Sequence, residues 1–185
     1  PALSGKLEQS ALRGWAYVSR NQNQPARPCI TGCYPEHPAS SFWAAVELHR
    51  LTLEPSYLNA ALKRLPSVLE GELEPLSWRG NQILALLRLY PLLPENQAKA
   101  RIRRALTQHL KTLRELSAKN PFGVRYVAGF EEGNNATLLA TAVEIFYLQR
   151  VFPKLDAYSL IEPYRQWVYG MNPSGYCFVV GRGDR

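Results

Sequence analysis

Five aromatic residues, Tyr34, Trp78, Tyr126, Phe130 and Tyr176, lie in or at the edge of loop-like stretches that also carry Glu36, Glu74, Glu131, Glu132 and Asp184. Flat rings beside carboxylates and amides suit a sugar: the C–H face of the sugar stacks on the aromatic ring, and its hydroxyls take the polar partners. Glu132 and Asn134 supply that polar rim beside Phe130. Cleaving a glycosidic bond needs two carboxyl groups set apart, one acid and one base or nucleophile. The adjacent pair Glu131–Glu132 does not meet that requirement by itself. "EEGNN" reads equally well as an acidic entry to a helix, where the positive end of the helix dipole favours carboxylates. Trp43, inside an apolar helical run, reads as core, whereas Trp78 is divided between core and site.

A second chemistry is open at Cys29-x3-Cys33 followed by His37. That spacing offers three ligands of the four a structural zinc site uses. Only three cysteines are present, the third being Cys177, and an odd count argues against a complete disulfide framework. An incidental pair or one disulfide is the preferred reading, so neither a metal nor a cofactor is expected. The triplet "RGD" at 182–184 and the sequon "NAT" at 135–137 are too short to carry a function.

The formal charge of +7 raises the question of nucleic acid. Its densest source, Lys99, Arg101, Arg103, Arg104, Lys111 and Arg114, lies on one helical stretch without an aromatic residue. Stacking platforms for bases are therefore missing, and no nucleic-acid partner is expected. No apolar run approaches the roughly 18 residues of a membrane span. The opening "PALSGKLEQS" has no signal-peptide pattern.

The elements that must hold these loops are helical. Periodicity predicts helices near 5–19, 41–52, 55–69, 78–90, 96–117, 135–151 and 156–169, with no strand pattern. Leu7, Leu12, Trp15 and Val18 form the stripe of the first, and Ile102, Leu106, His109, Leu110, Leu113 and Leu116 that of the fifth. Pro55 suits a first helical turn, Asn134 or Asn135 a helix start, and Gly170 a helix end. Helices near 41–52, 78–90 and 135–151 are apolar on nearly all sides; those near 5–19, 96–117 and 156–169 are amphipathic. Buried and surface helices thus alternate. Long loops lead into the buried ones and short loops leave them, which gathers the long loops on one face. The pattern predicts an all-α fold of the α/α toroid type. A helical solenoid, its rival, should show a repeat of fixed period, and none is found.

Three blocks of the chain bear a resemblance to glycoside hydrolase family 9. "YGMNPSGYCFVVGRG" resembles the family's LGxNPxGxSYVTGxG, with Gly170, Asn172, Pro173, Gly181 and Gly183 matching and Cys177 standing where Ser is usual. "SSFWAAVELHRLTLEPSYLNAA" is similar to DExxWAAAELYRATGDxxYLxxA through Trp43, Ala44, Ala45, Glu47, Leu48, Thr52, Tyr57 and Leu58, but lacks the acidic pair. "NPFGV" and "EEGNNATLLATA" are similar to NPYGV and WGSNxxxLNxA; Gly133 and Asn135 align, and Glu132 falls near the family's Trp.

The resemblance implies part of an (α/α)6 barrel that hydrolyses β-1,4-linked glycans with inversion, an Asp activating water and a Glu protonating the leaving oxygen. It implies a β-glycan or oligosaccharide substrate and an extracellular or periplasmic setting. Neither catalytic block is matched in this chain, so no catalytic residue is assigned within it and the rest of a catalytic domain is expected. Tyr34, Trp78, Tyr126, Phe130, Glu132, Asn134 and Tyr176 are the candidate substrate-binding residues. Two further expectations stand beside a cellulase-like activity. One is an exo-acting glucosaminidase of the same family, because Glu132 in place of an aromatic suits a cationic amino sugar. The other is a non-catalytic helical module that binds sugars, or partners through the basic 96–117 helix.

Overall fold

The computed structural model describes residues 2–21, 38–77, 80–125 and 134–182. These residues form seven α-helices and three short 3-10 turns, and no strand occurs among them. The helices are α1 (Ala2–Asn21), α2 (Pro38–Thr52), α3 (Pro55–Val68), α4 (Gln82–Leu89), α5 (Gln97–Ala118), α6 (Asn134–Val151) and α7 (Ile161–Val168). The all-α expectation holds, and each predicted helix has its counterpart. Two are shorter than their patterns: the fourth begins at Gln82, and the last is preceded by a 3-10 turn at Tyr158–Leu160. The chain divides into two compact units, Pro1–Glu70 and Gly71–Arg185.

In the first unit α2 and α3 form an antiparallel hairpin joined by two residues. Leu53 takes a left-handed conformation (φ 62°), and its N–H returns to the carbonyl of His49 at 2.8 Å. The Thr52 hydroxyl accepts from the Glu54 N–H at 3.2 Å, and the His49 ring lies 3.0 Å from the Glu54 carbonyl oxygen. Pro55 then opens α3 at its first position, where a missing N–H is harmless. The core of this unit is Phe42, Ala45, Val46, Leu48, Ala61, Leu65 and Val68. The expected stripe of α1 is only partly used. Trp15 meets Tyr57 edge to face and carries the Arg64 guanidinium over its ring, while Leu7 and Val18 stay exposed. Helical periodicity says which residues share a face, not how much of that face finds a partner.

In the second unit α4 buries Ile83, Ala85, Leu86, Leu87 and Leu89, and α5 buries Ile102, Leu106, His109, Leu110 and Leu113 of the predicted stripe, leaving Leu116 half-buried. Helix α6 is apolar on nearly all sides, as its pattern indicates, but is covered on only part of its circumference. It buries Leu138, Ile145 and Leu148 but leaves Leu139, Val143, Phe146 and Tyr147 exposed along one stripe. Tyr164 of α7 is fully buried. Its hydroxyl accepts the Arg125 N–H at 3.0 Å and lies 3.1 Å from the Ser117 hydroxyl, tying α7 to the loop that follows α5.

The basic stretch on α5 is largely occupied within the chain. Lys99 and Arg103 pair with Glu95 (3.1 and 3.3 Å), and Arg103 also donates to the Tyr90 hydroxyl at 2.7 Å. Arg114 donates to the carbonyls of Leu155 and Asp156, and Lys111 faces Glu115 at 3.8 Å.

Two stability changes are expected. Leu53→Gly removes the left-handed strain at an exposed site and should raise stability by about 0.5–1 kcal/mol, read from urea unfolding. Tyr164→Phe leaves the Arg125 N–H without its acceptor and should cost about 1–3 kcal/mol. Burial holds the Tyr164 phenol above its usual range. Its contribution is therefore complete below the unfolded value of about 10 and lost as pH rises through the folded one. The wild type should weaken in that alkaline window, and Tyr164→Phe should lose less there.

Candidate functional site

Of the seven candidate substrate residues, Tyr34, Trp78, Tyr126, Phe130 and Glu132 lie outside the described residues. So do Cys29, Cys33 and His37 of the zinc reading. Asn134 and Tyr176 are described, and the structure places both at one end of the α6–α7 pair.

Asn134 is half-buried at the first position of α6. Asn135, one residue on, has a role that its helix-start position did not suggest. Its Oδ1 accepts the indole N–H of Trp167 at 3.2 Å, joining the start of α6 to the end of α7. Phe122 packs edge to face on the same indole, with ring centroids 5.5 Å apart. The "NPF" turn that carries Phe122 is held by the Asn120 side chain, which accepts the Phe122 N–H at 2.9 Å.

Helix α7 ends as the sequence predicts. Gly170 adopts φ +112°, its N–H returns to the carbonyl of Trp167, and the Met171 N–H returns to that of Gln166. This paired closure is a Schellman end, which glycine adopts without strain. Beyond it Asn172 is buried and holds the loop. Its amide nitrogen donates to the carbonyls of Trp167 and Tyr176, both at 2.8 Å, and its oxygen accepts the Ser174 N–H at 3.0 Å. The Phe178 N–H donates back to the carbonyl of Val168 at 2.8 Å. Tyr176 is exposed at the crest of this loop. Asn135, Trp167, Asn172 and Tyr176 thus form a hydrogen-bonded chain from the start of α6 to an exposed aromatic ring.

Asn135, Trp167, Phe122 and Asn172 are the members of this cluster outside the candidate substrate-binding residues. The signal for Asn172 was its place between Gly170 and Pro173, and the signal for Phe122 its "NPFG" turn. Nothing in the sequence marked the Trp167–Asn135 bond.

A second polar cluster lies deeper. Glu144, in the middle of α6, has no solvent exposure. His109 Nε2 of α5 is 2.5 Å from its Oε1, and the Leu76 N–H donates to its Oε2 at 2.9 Å. Both carboxylate oxygens are therefore engaged, and the group is closed to water. The other described acids reach solvent, Glu8, Glu47 and Glu162 being half-buried and the rest exposed. The Arg165 hydrogen bond holds the Glu162 carboxyl below its usual range, and Lys99 does the same for Glu95. Among the described residues no group of three His, Cys, Asp or Glu gathers as a metal site. No described helix is long and apolar enough to cross a membrane.

The turn after α5 and the end of α7 meet the start of α6 through Phe122, Trp167 and Asn135, on a scaffold that is all-α among the described residues. A family model described as Glycosyl hydrolase family 9 matches residues 1–185, and the chain belongs to that family. Solved structures share the fold, the α/α toroid. A thermostable endoglucanase mutant (D468A) from Alicyclobacillus acidocaldarius has TM-score 0.84 at 23% identity, and covers 100% of this chain and 36% of its own. AaCel9A in complex with cellobiose-like isofagomine gives the same values. A Zn-binding triple mutant of the GH family 9 endoglucanase J30 has TM-score 0.86 at 22% identity, again with 36% of its length covered. The chain therefore spans about a third of the length of these structures. No protein of curated function matches it in sequence.

The Asn172 chain makes a testable point about the loop. Asn172→Ala should cost about 1–3 kcal/mol by loss of its hydrogen bonds. Asn172→Asp should cost more at neutral pH, because a buried carboxylate cannot donate to the two carbonyls it would face. Chemical denaturation of both variants checks the order, and an Asp variant as stable as the Ala variant would refute it.

Proposed function

We propose that the protein bearing this chain is an inverting glycoside hydrolase acting on β-1,4-linked glucans in the manner of an endoglucanase. In this reading residues 1–185 are part of its α/α-barrel catalytic domain. The observation that carries it is the family match along the whole chain. The complex of AaCel9A with cellobiose-like isofagomine, in a structure of the same fold, supports a β-glucan as the substrate class.

The described residues are suited to binding rather than to bond cleavage. Tyr176 is exposed beside a rigidly held loop, and Asn134 sits at the adjacent helix start. Trp78, Tyr126 and Phe130 are assigned as further stacking rings and Glu132 as a polar contact, with Tyr34 as an outlying member. The one buried carboxylate described, Glu144, is enclosed by His109 and Leu76 and has no access to a substrate. The general acid and the water-activating carboxylate are accordingly assigned to other parts of the domain. The exposed stripe Leu139, Val143, Phe146 and Tyr147 on α6 supports this, because an apolar face of that kind suits further helices of a barrel.

A second reading, a glucosaminidase, rests on Glu132 alone, which falls near an aromatic position of the family motif. In the full-length protein, Trp78→Ala, Tyr126→Ala or Phe130→Ala should each weaken cellotetraose binding by about 1–3 kcal/mol, measured by calorimetry. Glu132→Gln should leave that affinity almost unchanged but weaken a chitosan oligomer if the amino-sugar reading is right. Equal effects on both sugars would remove that second reading. Retention of the anomeric configuration in the first-formed product, followed by NMR, would contradict the inverting mechanism.

A further inference from the structure

The enclosed carboxylate of Glu144 has no role in the sugar contacts just proposed, and its presence calls for one. Taking a carboxylate out of water is expensive, and an apolar residue of similar size commonly serves a helix interior as well or better. The other buried residues of α6 are uncharged: Leu138, Ile145 and Leu148 are apolar, and the buried Thr141 hydroxyl is satisfied by the carbonyl of Thr137. A carboxylate can do what a leucine cannot: accept two hydrogen bonds from two different elements at once. Glu144 does so, taking one from His109 on α5 and one from the backbone of Leu76.

Leu76 belongs to a segment, residues 73–77, that has neither helical nor strand regularity. The shape of such a segment is set by its individual hydrogen bonds. The Glu74 N–H donates to the Gln82 side chain at 3.1 Å, but that bond is exposed to competing water. The Ser77 N–H donates to the carbonyl of Gly80 at 2.9 Å, and the Gly80 N–H to the Ser77 hydroxyl at 3.2 Å; both hold the turn to itself rather than to the scaffold. Gly80 permits this fold-back, since a Cβ there would come within 3.0 Å of both the Glu74 Cβ and the Pro75 carbonyl. The bond from Leu76 ties the segment to α6, across 68 positions of sequence, and its acceptor Glu144 has no solvent exposure.

We propose that Glu144, oriented by His109, is a positioning residue that holds the 73–77 segment and thereby sets the geometry of sugar binding at the entrance to α4. The part concerning sugar rests on the glycosidase reading above. The part concerning the segment does not. His109 acts through Glu144: its ring engages Oε1 and leaves Oε2 aimed at Leu76.

The test uses the full-length protein, with amide hydrogen exchange and steady-state kinetics on cellotetraose. In the double variant Glu144→Leu/His109→Leu the buried pair is replaced by apolar side chains, and the helices should stay protected. Exchange at Leu76 should quicken about tenfold, as expected for losing one hydrogen bond to a charged acceptor. KM should rise while kcat changes little. Glu144→Gln should restore both towards wild type, because its carbonyl still accepts from Leu76 and its NH2 can donate to the other tautomer of His109. A purely structural pair would show no such rescue of KM. If the double variant unfolds, Leu76→Pro serves instead: it deletes the donor, leaves His109 and Glu144 intact, and should produce the same rise in KM. Unchanged exchange at Leu76, or unchanged KM once Leu76 is freed, overturns the proposal. If the wild type neither binds nor cleaves cellotetraose, the glycosidase reading fails, and exchange at Leu76 still decides whether Glu144 holds the segment.

Discussion

One enclosed carboxylate in the middle of α6 constrains how the described helices of the second unit pack. Helix α6 has little amphipathic character to tell it which side to turn inward. Apolar side chains alone would allow it to rotate about its axis with modest change in buried area. Glu144 removes that freedom, because an unpaired buried carboxylate is far costlier than a misplaced leucine. Only one rotation brings it to both His109 and the Leu76 N–H. With α6 fixed, Asn135 is set where the indole of Trp167 can reach it, and α7 is docked. Specificity of arrangement, rather than added stability, is what such a group contributes here.

The same division of labour recurs around it. Apolar side chains supply the bulk of the burial, while a few polar ones hold irregular backbone. Gln149 accepts the Ala157 N–H and donates to the carbonyl of Pro153, closing the turn after α6. Arg114 reaches the carbonyls of Leu155 and Asp156 in the same turn, the second at 2.8 Å. Tyr164 holds Arg125, and Asn172 holds Ser174 and Tyr176. Each serves backbone groups that have no helix or sheet to satisfy them. The excess positive charge of α5 is explained in part by this use, without an external anion.

The helices were legible because their signals are local: Pro55 at a first turn, Gly170 past a last one, and the 3.6-residue stripe from Ile102 to Leu113. The family was legible because its motifs sit in order along the chain. The site was less so. Aromatic residues in loops could be chosen by chemistry, but Tyr176 owes its place to Asn172, and Asn135 turned out to bind Trp167. Those links join residues far apart in sequence, and periodicity carries no information about them. His109 was read correctly as part of a buried stripe, yet its partner Glu144 lies 35 positions on, in a helix whose pattern gives no hint that an acid is inside. The stripe on α1 shows the converse limit: a face can be well patterned and still be only partly covered.

The loop after α7 bears on how a protein family comes to be recognisable at all. Gly170 is needed for a backbone angle, Asn172 for three hydrogen bonds to main-chain atoms, and Gly175 and Gly181 for further positive-φ turns. None of these contacts involves a substrate. The motif of Gly170, Asn172 and Gly181, through which the chain resembles its family, is therefore a winding pattern for the main chain, which any side-chain chemistry mounted on it would inherit. A change of side chain at the exposed crest, as at Tyr176, would leave the spool beneath it intact, because Asn172 holds that residue by its main-chain carbonyl.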